Sequence, residues 1–312
     1  MIVLSDRSEI KLDKKSVVTV GSFDGLHRGH LKILETVKET ALKNNAVSFV
    51  VTFDPHPRSV LSQNSEINIL TSLQEKKFIL EEYGIDYLMV IHFTREFSQL
   101  TSDEFIKQFV IAKMNACHMV IGHDHKFGRD RLGDENKLNE IGSALGFGVT
   151  AVSAESINNE TISSSKIRNA LYAGDLVKTN LFLGRDYSIC GIVVKGAQRG
   201  RTLGFPTANV QVDDPKKVIP QNGVYVVRCL IADEIFYGVM NIGYRPTFEN
   251  KHELVPEVNI LSFNRDIYGE KIKVEFISRL REEKKFESRE LLIHQIELDK
   301  KEAVKIASSE KK

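Results

Sequence analysis

An α/β domain followed by an antiparallel β-barrel or sandwich, the barrel being preferred, is the fold that the sequence predicts, on three observations. In the first half, short apolar runs alternate with stretches of helical spacing. After Gly184 the runs become short and β-branched, separated by Gly, Pro, Asn and Asp clusters. The C-terminal stretch returns to helical spacing in a charged background.

Taken in order, residues 17–20, 31–42, 47–53 and 73–83 read as β-α-β-α. Residues 87–91, a helical stretch at 105–111, then 119–122 and 149–152 continue the series. The expected result is a Rossmann-like, mostly parallel sheet with helices on both faces, which binds ligands at the carboxyl ends of its strands. Residues 189–195, 224–231, 235–242, 258–263 and 272–276 supply the strands of the antiparallel barrel. Leu291, Leu292, Ile296, Ala303 and Ile306 then mark a terminal amphipathic helix over 288–307. The pattern changes near residues 180–185, so the domains are expected at 1–182 and 183–312.

Composition excludes several classes. The 312 residues carry 43 basic and 42 acidic side chains, a net charge of +1, so no cationic excess points to nucleic acid or to an anionic membrane. Any phosphate site must be local. Cys117, Cys190 and Cys229 are too few and too widely spaced for a disulfide framework or a CxxC metal pair, which suits a reducing cytoplasm. No apolar run approaches the roughly 20 residues of a membrane span. A homo-oligomer is compatible with the sequence.

The chemistry of the first half starts at Gly21-Ser22-Phe23-Asp24-Gly25-Leu26-His27-Arg28-Gly29-His30, between the first strand and the first helix. Gly21 and Gly25 permit a tight turn, and Gly29 permits close approach to a helix start whose N–H groups and dipole favour phosphate. His27 and His30 can donate hydrogen bonds to phosphate oxygens as charge builds on them. Asp24 divides evenly between a ligand-facing role and a turn aspartate accepting backbone N–H groups.

This string resembles the HxGH nucleotidylyltransferases and, as GxFDGxHxGH, the bacterial riboflavin kinase/FAD synthetase family. Thr52-Phe53-Asp54-Pro55-His56-Pro57 is similar to that family's FxPHP, residues 122–128 to its GxDFxFG, and residues 162–168 to its ISSTxIR. The resemblance implies that His56, Asp124 and His125 lie by the flavin. Ser164, Ser165 and Arg168 would hold the departing pyrophosphate at a helix start. His125 stands where the family has an aromatic, which bears on FMN selectivity more than on phosphate handling.

In the second half, Gly196, Gly200, Arg201 and Gly204 lead into Phe205-Pro206-Thr207-Ala208-Asn209, similar to the family's PTAN motif. The loop, with Pro206, would wrap ATP phosphates while Thr207 and Asn209 offer hard oxygen ligands to Mg²⁺. Phosphoryl transfer to an alcohol needs a carboxylate that orients the hydroxyl and takes its proton, and the resemblance puts this role on Glu257. Arg281 and Phe286 match the family's RxR and downstream Phe, which implies contact with flavin or nucleotide. Ala197 replaces an acidic residue common in the loop.

With ordered motifs from Val17 to about Asp299, the resemblance implies a bifunctional enzyme. Riboflavin would be phosphorylated by ATP to FMN, and FMN adenylylated by ATP to FAD with release of pyrophosphate. His125 and Ala197 motivate the alternative, a paralogue with one of the two activities. A flavin-responsive binding protein without turnover is a rival of a different class.

Overall fold

A computed structural model of the protein describes residues 1–8, 12–62, 67–123, 128–129, 135–196, 204–246 and 252–310, in two compact units, 1–164 and 165–312.

The first unit contains β1 (Ile2–Ser5), β2 (Ser16–Val20), α1 (Arg28–Lys43), β3 (Val47–Asp54), the short α2 (Pro57–Leu61), α3 (Leu73–Glu82) and β4 (Tyr87–His92). After these come α4 (Ser102–Phe105), which runs into a π-helical turn (Ile106–Ile111), then β5 (Ala116–Gly122), α5 (Glu135–Leu145), β6 (Gly148–Val152) and a small hairpin of β7 (Ser156–Ile157) and β8 (Glu160–Thr161). The strands form a parallel sheet in the order β1-β4-β3-β2-β5-β6. Every residue of β2 is buried, as a central strand covered on both faces requires. The chain leaves β2 toward β3 and β4 on one side and returns to β2's other side with β5. That reversal opens a crevice at the strands' carboxyl ends.

Two elements depart from the sequence pattern. β1 is a short, largely exposed edge strand and so has no alternation to read. α5 escapes notice because Gly142 interrupts its apolar face; a Cβ there would stand 2.6 Å from the Phe147 carbonyl oxygen, so close packing dictates the glycine.

α6 (Ser164–Tyr172) starts at the division and, with α7 (Leu176–Leu183), precedes the barrel. The Asp175 side chain caps α7, and Gly184 ends it in the left-handed conformation. Residues 180–185, where the sequence pattern changes, are thus a helix end. Its Asn180 donates to Asp186 Oδ1 and to the Phe276 carbonyl, and accepts from the Tyr187 N–H.

The barrel comprises β9 (Tyr187–Val194), β10 (Ala208–Val212), β11 (Gly223–Ile231), β12 (Glu234–Pro246), β13 (His252–Ile260) and β14 (Lys271–Arg281). All neighbours are antiparallel, and the order β10-β13-β12-β11-β14-β9 closes on itself. β11 and β12 are joined at Ala232 and Asp233, both at positive φ, as a two-residue hairpin needs. The closing strand β10 adds to the five that the sequence suggests, and β13 begins six residues before the apolar run at Val258 (258 − 252 = 6). The terminal helix α8 (Arg289–Glu310) is joined to β14 by Arg281, whose guanidinium donates to both carboxylate oxygens of the buried Asp299.

Candidate active sites

In the first unit, residues 21–27 form a loop between β2 and α1 with Phe23, Gly25 and Leu26 all at positive φ. Three residues at and just before the start of α3, Leu70, Thr71 and Lys76, hold this costly path. Asp24, 2 % exposed, accepts the Leu70 and Thr71 N–H groups on Oδ1 (2.8 and 3.1 Å). The Gly25 N–H donates to Thr71 Oγ1 (3.1 Å), and Lys76 Nζ donates to the Ser22 carbonyl (2.7 Å) and to Thr52 Oγ1 (2.9 Å). A capping box of Ser72 and Glu75 rigidifies the helix start that supplies these groups. Of the two roles open to Asp24, the structure displays the backbone anchor.

His27 caps α1, its Nδ1 accepting from the His30 N–H (3.4 Å). An accepting Nδ1 carries no proton, so Nε2 is the donor of the neutral ring. The His30 ring stacks on it at 3.7 Å between centroids. Gly29 makes room for this stack: a Cβ there would lie 3.3 Å from His27 ring atoms. Gly21 is as confined, with the Phe23 ring 3.2 Å from the position its Cβ would take.

A cavity of about 600 Å³ opens beside the loop at the carboxyl ends of β2, β3, β4 and β5. Gly21 to Phe23 and His30 line it, together with the aromatics Phe53, Phe93 and Phe97. His56 also borders it, held by an N–H from Arg58 to its Nδ1 (3.2 Å) in its capping of α2. The cavity therefore pairs a polar loop at a helix N-terminus with an aromatic wall, a shape for a planar ring bearing a phosphate. Ser164 donates its hydroxyl to the Asp24 carbonyl (2.8 Å). Ser165 and Arg168 follow on α6, in the second unit, with Arg168 one helical turn beyond Ser164.

In the barrel, Asn209 on β10 is paired with Glu257 on β13, which is paired in turn with Asn241 on β12. Residues directly opposite share a face. The neighbouring row, Ala208, Val258 and Met240, is buried and apolar, so the polar row occupies the opposite face of the same strands. Asn209 is only 6 % exposed, and its Oδ1 has no hydrogen-bond partner. Gly196 touches it closely enough that a Cβ would overlap the Asn209 amide. Gly204, at φ +83°, precedes Pro206 and Thr207. Thr207 and Pro206 also line a smaller cavity of about 290 Å³ with Arg265, Asp266 and Tyr268.

The described residues include no cluster of three or more His, Cys, Asp or Glu able to hold a metal. The buried Asn209 Oδ1, without a hydrogen-bond partner, and the Thr207 hydroxyl two residues before it are hard oxygen donors of the kind that would suit Mg²⁺. Arg281 and Phe286 come together, the guanidinium 5.8 Å from the ring centre. The bidentate bond of Arg281 to Asp299 anchors the terminal helix. Asp124, His125, Ala197, Gly200 and Arg201 lie outside the described residues.

Sequence reasoning passed over Lys76 and Thr71, which stand in no motif string, and gave no role to Asn241 and Asn259, although residues 241–248 and 256–259 follow the family's order. Only the register, or the packing of α3 behind the loop, brings them to the sites. Burial pushes the Lys76 ammonium down to about 8, although the charges of Asp24 and Asp54 act to hold its proton.

Residues 9–166 match the family model for FAD synthetase, and residues 183–307 that for riboflavin kinase. A bifunctional riboflavin kinase/FMN adenylyltransferase of Bacillus subtilis is 40% identical over 303 residues, 96% of this chain and 94% of the relative. The chain belongs to the bifunctional riboflavin kinase/FMN adenylyltransferase family. The family's Escherichia coli K12 member is 36% identical over 284 residues, 91% of this chain and 90% of its own. A crystal structure from Streptococcus pneumoniae, described as a macrolide-efflux protein, superposes with a TM-score of 0.89 at 31% identity, covering 96% of this chain and 98% of the other. That description is of the pneumococcal protein; no helix among the present chain's described residues is long and apolar enough to cross a membrane.

Proposed function

We propose that this member of the family carries out both of its half-reactions, one in each region matched by a family model, with a functional division at 182/183. The barrel transfers the γ-phosphoryl group of ATP to the ribityl 5′-hydroxyl of riboflavin. The sheet unit's loop then supports attack of the FMN phosphate on the α-phosphorus of ATP, which forms FAD and releases pyrophosphate. The observation that supports this reading is one constellation of motif residues in each unit: the histidine stack over a clamped glycine loop, and Asn209 set opposite Glu257 across one ladder.

In adenylyl transfer, His27 donates from Nε2 and His30 lies against it, so both imidazoles act on charge building on phosphate oxygens rather than as nucleophiles. The N–H groups at the start of α1 add to this, and the aromatic wall with His56 takes the flavin ring. Arg168, Ser164 and Ser165 hold the leaving pyrophosphate. In phosphoryl transfer, Glu257 orients the ribityl hydroxyl and accepts its proton as the oxygen attacks phosphorus in line. Thr207 and Asn209 are the residues that would hold Mg²⁺, which when bound would neutralise charge on the ATP phosphates. The glycine-rich loop encloses those phosphates. A cytoplasmic setting suits the three free cysteines.

Chromatographic time courses started from riboflavin and from FMN, each with ATP and Mg²⁺, test the division of labour. His30→Ala should stop FAD formation and spare FMN formation, and Glu257→Gln should do the reverse. Loss of both activities in either folded variant would refute the assignment, and a wild type active in one course alone would leave the single-activity paralogue.

A further inference from the structure

The buried polar groups of the barrel face include one that has no role in the reading above, at the end of the Pro256-Glu257-Val258-Asn259 string. Asn259 lies two residues beyond Glu257 on β13, hence on the same face. The ladder pairs Asn209 with Glu257 and Ala208 with Val258, and Thr207 immediately precedes β10. Asn259 reaches the chain just before that strand through its bond to the Pro206 carbonyl, so Asn209, Glu257 and Asn259 share one face with Thr207 at its margin.

The orientation of Asn259 follows from its partner. Its side chain bonds the Pro206 carbonyl at 2.7 Å, and a carbonyl can only accept, so the amide nitrogen must face the loop. Oδ1 is turned the other way, is buried, and has no hydrogen-bond partner; the residue as a whole is 8 % exposed. A buried acceptor left unsatisfied costs free energy, and here it recurs at both asparagines of this face. Two buried amide oxygens without a hydrogen-bond partner, near a threonine hydroxyl, are hard oxygen ligands of the kind that a divalent cation takes.

We infer that Asn259 is a further residue of the phosphoryl-transfer site, its Oδ1 an oxygen donor toward the same divalent cation as Thr207 and Asn209, its amide N–H the tether that fixes the Pro206–Thr207 peptide beside it. This rests on the reading of Thr207 and Asn209 given above.

The test is direct metal binding by the full chain, free Mn²⁺ being read by electron paramagnetic resonance during titration in the presence of ADP. Asn259→Leu removes both functions and should weaken Mn²⁺ binding by about tenfold or more. Asn259→Asp loses the donor to Pro206 but keeps an oxygen facing the cation. It should bind Mn²⁺ at least as tightly as wild type while the kcat of FMN formation falls. Wild-type Mn²⁺ affinity in Asn259→Leu overturns the inference, and so does equal weakening in the two variants, since the effect would then pass through the Pro206 bond alone. Thr207→Ala is the reference. If it weakens Mn²⁺ binding and Asn259→Leu does not, only the inference fails; if it too binds normally, the underlying cation site fails. Should Asn259→Leu not fold, as judged by circular dichroism, the Asn259→Asp titration decides.

Discussion

The two sites hold their reactive groups by different means. In the sheet unit, a loop with three residues at positive φ is fastened from behind by backbone N–H groups and side chains of α3 and the segment before it, bonded to Asp24 and to loop backbone. In the barrel, no such fastening is needed for the strand residues: Asn209, Glu257 and Asn241 meet because the antiparallel register sets them opposite one another. A clamped loop can be weakened one bond at a time, whereas a register is kept or lost as a whole.

The largest effect should come from cutting the clamp. Asp24→Ala leaves the Leu70 and Thr71 N–H groups without their buried acceptor, which should cost about 3 kcal/mol in denaturant unfolding and abolish FAD formation while FMN formation persists. If FMN formation also disappears, the sites are not independent and the contrast collapses. Gly196→Ala should act on the barrel alone: its Cβ displaces the Asn209 amide, and riboflavin phosphorylation should fall by roughly 100-fold with adenylylation unchanged. Gly29→Ala presses on the His27 ring from 3.3 Å, a milder intrusion, and should lower adenylylation by roughly tenfold in steady-state assays.

The smallest effect is one of pH, with opposite sign in the two units. Lys76 titrates near 8 when folded and at 10.5 as a model group, so between these values the unfolded chain binds more protons and stability rises with pH. From about pH 8 to pH 9 the gain should be about 1 kcal/mol, and Lys76→Met should lack it when its denaturation midpoints are compared with wild type. Burial pushes the Cys229 thiol from 9.0 up to about 12, so the barrel should lose stability as pH rises above the lower value. Cys229→Ala should remove that decline.

The order of elements was legible because central strands and amphipathic helices repeat their burial in their spacing: β2, β3, β4 and α1 stand close to where the pattern puts them. β1 and β10 were not, since one is a short exposed edge and the other follows a glycine loop without a turn signal of its own. The loop at 21–30 announces itself through glycines that only a tight turn or a close approach demands. Lys76 announces nothing, and Asn259, although it ends the string at 256–259, does not reveal its partner. Each is 50 or more residues from the backbone carbonyl it bonds (76 − 22 = 54 and 259 − 206 = 53), and neither carries a local pattern that names that carbonyl. Arg281 shows the converse, a motif residue whose guanidinium is engaged by Asp299 eighteen positions away.

A closed barrel whose reactive row is set by pairing also constrains how such a chain can change length. Along β13 the side chains alternate between the apolar interior, at Val258, and the polar face, at Glu257 and Asn259. A single-residue insertion or deletion within the strand would exchange the two sets, placing a carboxylate among Met240 and Ile242 and a valine opposite Asn209. With no free edge along which the strand could slip to absorb the error, indels should be purged from β13 and confined to the hairpin and loop connections, whereas β1, paired along one side only, can lengthen or shorten with little consequence.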